Sequence, residues 1–251
     1  MSLTNLRNIK LIIEYDGTDF SGWQIQNNTQ KRTVQGKIEK ALFKTLSKEV
    51  KVIGAARTDC GVHAQGQTAN FLTDSKITLA SLVKALNSFI PKDAAVLSAE
   101  EVPPDFNARY SARRKTYRYT ISNAPIIRSL SRRYTWCLPL PLDVDLMKKT
   151  AKYFLGKHNF SAFSCRGSAR KNEFCRITKS QILKQNEIIC FEIEGTNFLY
   201  KMIRRMVGGL VETGCKKLDP LVVREAVETC RKDFYLPTAP PHGLCLMKVT
   251  Y

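Results

Sequence analysis

A polar, glycine-flanked loop at residues 54–67 is the segment of this sequence whose residue types best suit chemistry. It reads GAARTDCGVHAQGQ and follows a short apolar stretch, so it leaves the end of a predicted strand, a usual place for working side chains. Alternate residues of an extended chain point to the same side, so Arg57 and Asp59 could contact one ligand or each other. The spacing alone equally allows a structural ion pair that stabilises a turn.

The elements that must position this loop follow the order β-α-β-β-α-β in the N-terminal half. Apolar residues recur at helical spacing from Val34 to Leu46 and from Leu79 to Ile90, and Pro91 stops the second helix. Strands are predicted at residues 10–15, 52–56, 68–72 and 95–101. This order is the split βαβ arrangement of ferredoxin-like and RRM-like units.

The C-terminal half repeats the order more loosely. Strands are predicted at 115–121, 177–183, 188–193 and 244–249, and helices at 146–154, at 198–212 and from 219 onward. Two prolines near residues 102–104 interrupt both kinds of regular structure. We therefore predict an α/β (α+β) fold of two lobes with a cleft between them. Residues 1–104 form the lobe that carries the Asp59 loop, and residues 105–251 form the lobe that completes the cleft.

The charge balance indicates a polyanionic partner. The chain has 40 Lys and Arg against 22 Asp and Glu, a formal net charge of +18, which favours nucleic acid or an anionic membrane surface. No apolar run approaches the ~20 residues of a membrane-spanning helix. Residues 1–10 show no secretory signal. We expect a cytoplasmic protein that does not engage a membrane.

Three irregular basic stretches could follow a phosphate backbone, although each could also be an ordinary solvated loop. They lie at residues 27–32, 125–133 and 165–176. The eight cysteines form no C-x-x-C pair, and the chain has three histidines, so a structural metal is not expected. Most of the cysteines are predicted to be small buried hydrophobic residues, with Cys60 set apart by its place beside Asp59.

Six motifs, in order along nearly the whole chain, resemble those of the TruA-type tRNA pseudouridine synthases. The loop matches the family signature G-R-T-D-x-G-V-H-A at residues 56–64, with Ala56 where the family has Gly. The other five are YDGTDFSGWQ at 15–24, FNAR at 106–109, KTYRY at 115–119, FLYKMIR at 198–204 and APPHGL at 239–244.

The resemblance implies an isomerase that converts uridine to pseudouridine at positions 38, 39 and 40 of the tRNA anticodon stem-loop. It also implies a homodimer that needs neither a metal nor an organic cofactor. Carried over onto the matching positions, it makes Asp59 the catalytic carboxylate and places Arg57, Tyr117 and Arg204 around the substrate. The target base must first leave its stack to be reached.

The local sequence patterns allow the roles given to Arg204 and Tyr117 but do not by themselves predict them. Leu199, Met202, Ile203, Met206 and Leu210 form an apolar stripe, and Tyr200, Arg204 and Gly208 lie away from it. Periodicity hardly separates Arg204 from Arg205. Tyr117 and Tyr119 share one face of an alternating strand and read as core aromatics by pattern. The resemblance moves Tyr117 towards stacking on the flipped uracil or taking the C5 proton.

Nearby polar residues have simpler readings. Asp16, in Asp-Gly-Thr, fits turn chemistry, and His63 could hold the loop or touch RNA without a catalytic role. Two other functions share the same charge and fold: a non-catalytic protein that binds or remodels tRNA, and a pseudouridine synthase that acts on other RNA sites. Asp59 beside Arg57 and Arg204 argues for catalysis, because a pure binder has no use for a buried carboxylate along its phosphate track.

Overall fold

The computed structural model describes residues 6–26, 31–165, 173–230 and 236–251. The chain divides into two compact units, one of Met1–Arg113 with Leu246–Tyr251 and one of Arg114–Cys245. Each unit combines a β-sheet with α-helices, which confirms the predicted mixed α/β class.

The first unit contains the predicted elements in the predicted order. Its strands are β1 (Arg7–Tyr15), β2 (Ile53–Gly54), β3 (His63–Thr73) and β4 (Ala94–Val102), and its helices are α1 (Val34–Leu46) and α2 (Leu79–Phe89). The sheet runs β4-β1-β3, with antiparallel neighbours, and β2 pairs with β3. The last strand, β10 (Leu244–Thr250), follows β3 in the strand order. Strand β3 begins earlier than predicted and includes His63 from the polar loop.

The second unit has more elements than the simple repeat predicts. Its strands are β5 (Arg114–Ser122), β6 (Trp136–Cys137), β7 (Gly156–Asn159), β8 (Phe174–Gln185) and β9 (Ile188–Gly195), and its helices are α3 (Val144–Ala151), α4 (Met202–Gly214) and α5 (Pro220–Thr229). The sheet order is β5-β9-β8-β7. The predicted hairpin is confirmed as β8 and β9, with Asn186 at a positive φ of 52° in the turn.

Most helices begin where a side chain satisfies their first free N–H groups. Thr33 accepts from the Gly36 N–H at α1, and Thr78 accepts from the Ser81 N–H at α2. Helix α4 is different, because Lys201 stands before it at a φ of 59° without a side-chain cap. The predicted start at 198 is therefore wrong. The Leu199 carbonyl accepts the Met202 N–H in a turn before the helix proper.

Alternation along β1 shows how the first core is formed. Ile9, Leu11 and Ile13 are at most 1% exposed, as are Val34 and Ile38 of α1. Burying each side chain of this kind contributes roughly 1.5–3 kcal/mol. This core supports the end of β1, from which the segments of the candidate site extend.

The compact units divide at a different residue from the predicted lobes. Residues 105–113 lie with the first unit, because the Asn8 amide donates to the Phe106 carbonyl at 2.8 Å and Asn70 accepts from the Ala108 N–H at 2.8 Å. The C-terminal residues return to the same unit, where the Arg113 N–H donates to the Thr250 carbonyl. Long-range hydrogen bonds of this kind are invisible in a local proline pattern.

Two further expectations concern burial and membranes. Of the eight cysteines, only Cys175 is buried, while Cys60 is exposed and the other six are half-buried. The prediction that most are buried is therefore wrong, because several occupy the less covered sides of strands and the ends of helices. Within the described ranges, no helix has the length and apolar character that crossing a membrane requires.

Candidate active site

The polar loop forms a tight turn that holds Asp59 at the partly exposed edge of the first unit. The Val62 N–H donates to the Asp59 carbonyl at 3.2 Å, and Gly61 adopts a φ of 76°, which favours glycine. Thr58 is buried, Asp59 is half-buried, and Arg57 and Cys60 are exposed. The turn therefore buries Thr58 and leaves Asp59 partly exposed.

The segment YDGTDFSGWQ supports this turn through backbone hydrogen bonds. The Trp23 N–H donates to the Thr58 carbonyl at 3.1 Å, and the Phe20 carbonyl accepts from the Gly61 N–H at 3.3 Å. Gly22 has a φ of 89°, and a Cβ at that position would stand 2.6 Å from the Thr58 carbonyl oxygen. Two motifs far apart in the chain therefore form one structural unit around Asp59.

Buried side chains fix the residues before Asp59. The Tyr15 and Thr58 hydroxyls are 2.7 Å apart in a buried hydrogen bond. The Gln67 side chain, 0% exposed, accepts from the Ala56 N–H and donates to the Ala56 carbonyl at 3.2 Å and 2.7 Å. Each bond of this kind contributes about 0.5–1.5 kcal/mol and costs more if one partner is removed. These bonds fix Ala56 and Thr58, the residues that lead into Asp59.

Asp16 and His63 take part in this support. The Asp16 carboxylate accepts from the Thr18 N–H at 2.9 Å and from the Thr18 hydroxyl at 2.6 Å, which confirms the turn predicted there. The His63 Nδ1 accepts from the Gly17 N–H at 3.0 Å and lies 3.2 Å from an Asp16 oxygen. The His63 ring thus joins the loop to the turn at Asp16 and Gly17. His63 therefore holds the loop.

In the second unit, Tyr117 and Tyr119 of β5 have different surroundings. Tyr117 is 7% exposed, and its ring meets Phe198 edge-on at a centroid distance of 5.1 Å. Tyr119 is fully buried, and its hydroxyl donates to the Pro240 carbonyl at 2.8 Å. Burial raises the pKa of the Tyr119 phenol well above its ordinary range, so it remains a donor. Tyr119 is a structural residue, as its pattern indicates.

Arg204 and Arg205 are separated by their hydrogen bonds. The Arg204 Nε donates to the Ala239 carbonyl at 2.7 Å, and the Ala239 N–H donates back to the Arg204 carbonyl at 3.0 Å. Arg205 donates instead to the Ser164 carbonyl at 3.0 Å and the Leu236 carbonyl at 3.3 Å. The APPHGL motif thus orients the Arg204 guanidinium. Gly208, predicted to lie away from the apolar stripe, is buried and faces the Pro237 carbonyl.

Sequence reasoning placed four residues at the site, and they fall in both units. Arg57 and Asp59 belong to the first unit, and Tyr117 and Arg204 belong to the second. The pairing of Asp59 with Arg204 stays a prediction. The supporting roles of Gln67 and Phe198 were not predicted, although Gln67 ends the polar loop and Phe198 opens FLYKMIR.

The three basic stretches differ in what the structure describes of them. Arg32 is part of the fold, because its guanidinium pairs with Asp93 at 2.7 Å and lies 4.0 Å from the centre of the Phe20 ring. Arg128 pairs with Glu187 at 2.9 Å while remaining largely exposed. Residues 27–30 and 166–172 lie outside the described residues. Among the described side chains, no three His, Cys, Asp or Glu come together as metal ligands.

Comparison with known proteins identifies the family to which these motifs belong. A family model described as tRNA pseudouridine synthase matches residues 11–111 and 150–251. The chain is 43% identical over 246 residues to the tRNA pseudouridine synthase A of Acetivibrio thermocellus, with 98% of this chain and 100% of that protein covered. Proteins of the same name from Thermoanaerobacter sp. and Caldicellulosiruptor bescii are 42% and 43% identical over the same shares of both chains.

Solved structures add little to this comparison. The chain is similar to a crystal structure of a Cbf5-Nop10-Gar1 complex with a TM-score of 0.33 and 10% identity, over 80% of this chain and 53% of that chain. A similarity this low carries no argument about either fold or function.

Proposed function

This chain belongs to the tRNA pseudouridine synthase family, and we propose that Asp59 is the essential carboxylate with which it isomerises uridine. It is an enzyme, an isomerase that converts uridine to pseudouridine in tRNA, and in this proposal it acts on the anticodon stem-loop. Its target positions in this proposal are 38, 39 and 40. The observation that supports Asp59 most directly is the concentration of supporting contacts around a partly exposed carboxylate.

The reaction conserves all atoms of the uridine. The bond between N1 of uracil and C1′ of the ribose breaks, the base turns, and a new bond joins C5 to C1′. The C5 proton then leaves and N1 gains a proton. Asp59 acts either as a nucleophile on the sugar or the ring, or as a base that removes a ribose proton. Both routes need an ionised carboxylate that is held in a fixed position. The hydrogen bond from the Val62 N–H to the Asp59 carbonyl supports such a position.

The remaining site residues have distinct proposed roles. Arg204, held through its Nε by the Ala239 carbonyl, supplies the guanidinium that favours the ionised form of Asp59. Tyr117, already edge-on to Phe198, stacks on the extruded uracil or takes the C5 proton. Arg57, exposed beside Asp59, contacts the RNA around the extruded base. None of these roles uses a metal or an organic cofactor.

The partner and location are part of the same proposal. The net charge of +18 suits the phosphates of the anticodon arm, and basic side chains that grip them offset the few kcal/mol needed to extrude a base. We propose that the enzyme acts in the cytoplasm as a homodimer. Its affinity for tRNA should fall steeply with salt, with a log–log slope of about −0.9 for each phosphate contacted in duplex regions.

Tritium release from tRNA labelled at uracil C5 tests the proposal. The parent enzyme is expected to release tritium, and Asp59→Asn is expected to bind the same tRNA without release. Asp74→Asn, a change of an exposed carboxylate in the same unit that pairs with Lys48, is the matched control and should retain release. Release by Asp59→Asn at the parent rate would overturn the assignment of Asp59. Binding without release by the parent, across several tRNAs, would favour the non-catalytic binder.

A further inference from the structure

The FNAR motif takes no part in the contacts described around Asp59. It lies in a turn at residues 106–111 whose apex exposes Tyr110, with 78% of the residue accessible to solvent. The Arg109 guanidinium lies 5.5 Å from the centre of the Tyr110 ring, within cation–π range. The residue that follows the motif is thus an aromatic ring that the fold of this unit leaves exposed.

Two buried amides fix this turn from inside the first unit. Asn8 and Asn70 are 2% and 3% exposed. The Asn8 Nδ2 donates to the Phe106 carbonyl at 2.8 Å, and the Asn70 Oδ1 accepts from the Ala108 N–H at 2.8 Å. The two amides also bond to each other at 2.9 Å. Buried polar networks that are fully satisfied rigidify the backbone they contact.

Further bonds close the turn itself. The Asn107 Oδ1 accepts from the N–H groups of Arg109 and Tyr110 at 3.0 Å and 3.1 Å. The half-buried Tyr251 donates from its hydroxyl to the Ala108 carbonyl at 2.8 Å, and its ring packs on Phe106 at a centroid distance of 4.8 Å. The backbone below Tyr110 is therefore held at nearly every residue. Packing of the core does not require so rigid a turn, because the Tyr110 ring that the turn carries is mostly exposed.

We infer that Tyr110, flanked by Arg109, is a stacking platform for an unpaired nucleobase of the RNA substrate. A rigid, exposed aromatic ring beside a cation presents a π-face to a base and a charge to its phosphate, the combination that proteins use on single-stranded nucleotides. The net charge of +18 and the exposed Arg113 nearby favour a polyanion as the occupant. The inference rests on the proposed function, since it names how the same RNA is held.

The platform does not act on the reacting uridine. Asn8 lies at the start of β1 and Tyr15 is its last residue, so at about 3.3 Å per residue roughly 20 Å separates the two ends. Asn8 holds the Tyr110 turn, whereas Tyr15 bonds to Thr58 beside Asp59. Tyr110 therefore positions the RNA through a base remote from the one that is isomerised, and should affect binding but not the chemical step.

Equilibrium binding of intact tRNA and single-turnover tritium release test this inference with three variants. Tyr110→Ala should raise the Kd by roughly 5- to 100-fold, since a base stack contributes about 1–3 kcal/mol and about 1.4 kcal/mol is tenfold. Its single-turnover rate at saturating tRNA should match the parent. Tyr110→Phe should bind like the parent, because stacking needs the ring and not the hydroxyl. Phe89→Ala, at another exposed ring with a cation 5.2 Å away, is the matched control.

Several outcomes would overturn the inference. Parent-like binding by Tyr110→Ala would do so, as would an equal loss in Phe89→Ala. A change in oligomeric mass of Tyr110→Ala, measured by light scattering, would assign the ring to a second copy of the chain instead. Failure of the proposed function itself looks different: Asp59→Asn would then retain release, whatever Tyr110→Ala does to binding.

Discussion

Gly22 faces the backbone of Thr58 so closely that a Cβ on Gly22 would stand 2.6 Å from the Thr58 carbonyl oxygen. The two residues belong to different motifs, and the Trp23 N–H bonds to the same carbonyl. The glycine is therefore required by the position of the loop that carries Asp59, and its substitution should act on that loop first.

Gly22→Ala should reduce both stability and activity. Its φ of 89° costs a residue with a Cβ about 1–2 kcal/mol, and relief of the clash must move Thr58. A displacement of about 1 Å at a reacting group can cost about 100-fold in rate. Urea unfolding and single-turnover release measure the two effects. Gly209→Ala is the control, because its nearest neighbour is a Leu236 methyl at 3.3 Å. Equal activity in both variants would contradict the positioning role of Gly22.

Arg204→Lys should lower turnover by about 100-fold while the protein stays folded. A lysine keeps the charge but loses the planar group whose Nε bonds to the Ala239 carbonyl at 2.7 Å. Steady-state tritium release and thermal unfolding provide the comparison. Arg224→Lys, in an exposed helical pair with Glu228, should behave like the parent. Near-normal turnover of Arg204→Lys would contradict its pairing with Asp59.

Tyr117→Phe should separate the two roles proposed for this residue, stacking on the uracil and proton transfer. The ring contact with Phe198 survives the change, so tRNA binding should be unaffected. If the hydroxyl takes the C5 proton, release should slow by roughly 100- to 10,000-fold. Parent-like release would leave Tyr117 with stacking alone.

Tyr119→Phe is the structural counterpart of that change. It removes a buried hydroxyl whose bond to the Pro240 carbonyl contributes about 0.5–1.5 kcal/mol. It should lower the free energy of unfolding by about that amount and leave the single-turnover rate near the parent value. A slowed chemical step with unchanged stability would reverse the roles assigned to the two tyrosines.

Glu192 should make the second unit less stable in acid. Hydrogen bonds from Lys179 and from Arg118 lower the pKa of this carboxyl below its ordinary value of 4.5. A lowered pKa in the folded state gives stability that is present above pH 4.5 and is lost as pH falls through the folded-state value. Glu192→Gln should flatten this dependence in urea unfolding between pH 5 and pH 3. Glu228→Gln, in an exposed pair, is the control, and an unchanged slope in Glu192→Gln would contradict the prediction.

The sequence by itself determined the α/β class, the core strands and helices, and the family. Apolar periodicity located β1, α1 and α2, because a buried face imposes its repeat on the chain. The resemblance of residues 56–64 to the family signature indicated Asp59. The spacing of Arg57 and Asp59 by itself equally allowed a structural ion pair.

Only the tertiary structure decided what supports Asp59 and what lies outside the site. The bonds from Tyr15 to Thr58 and from Gln67 to Ala56 join strands β1 and β3 to the loop that carries Asp59, and no local pattern encodes such pairings. The same holds for Arg204 against Arg205, which periodicity hardly separates and which differ in their partner carbonyls. Local sequence sets which face of an element is apolar, whereas long-range hydrogen bonds form only once distant segments have packed.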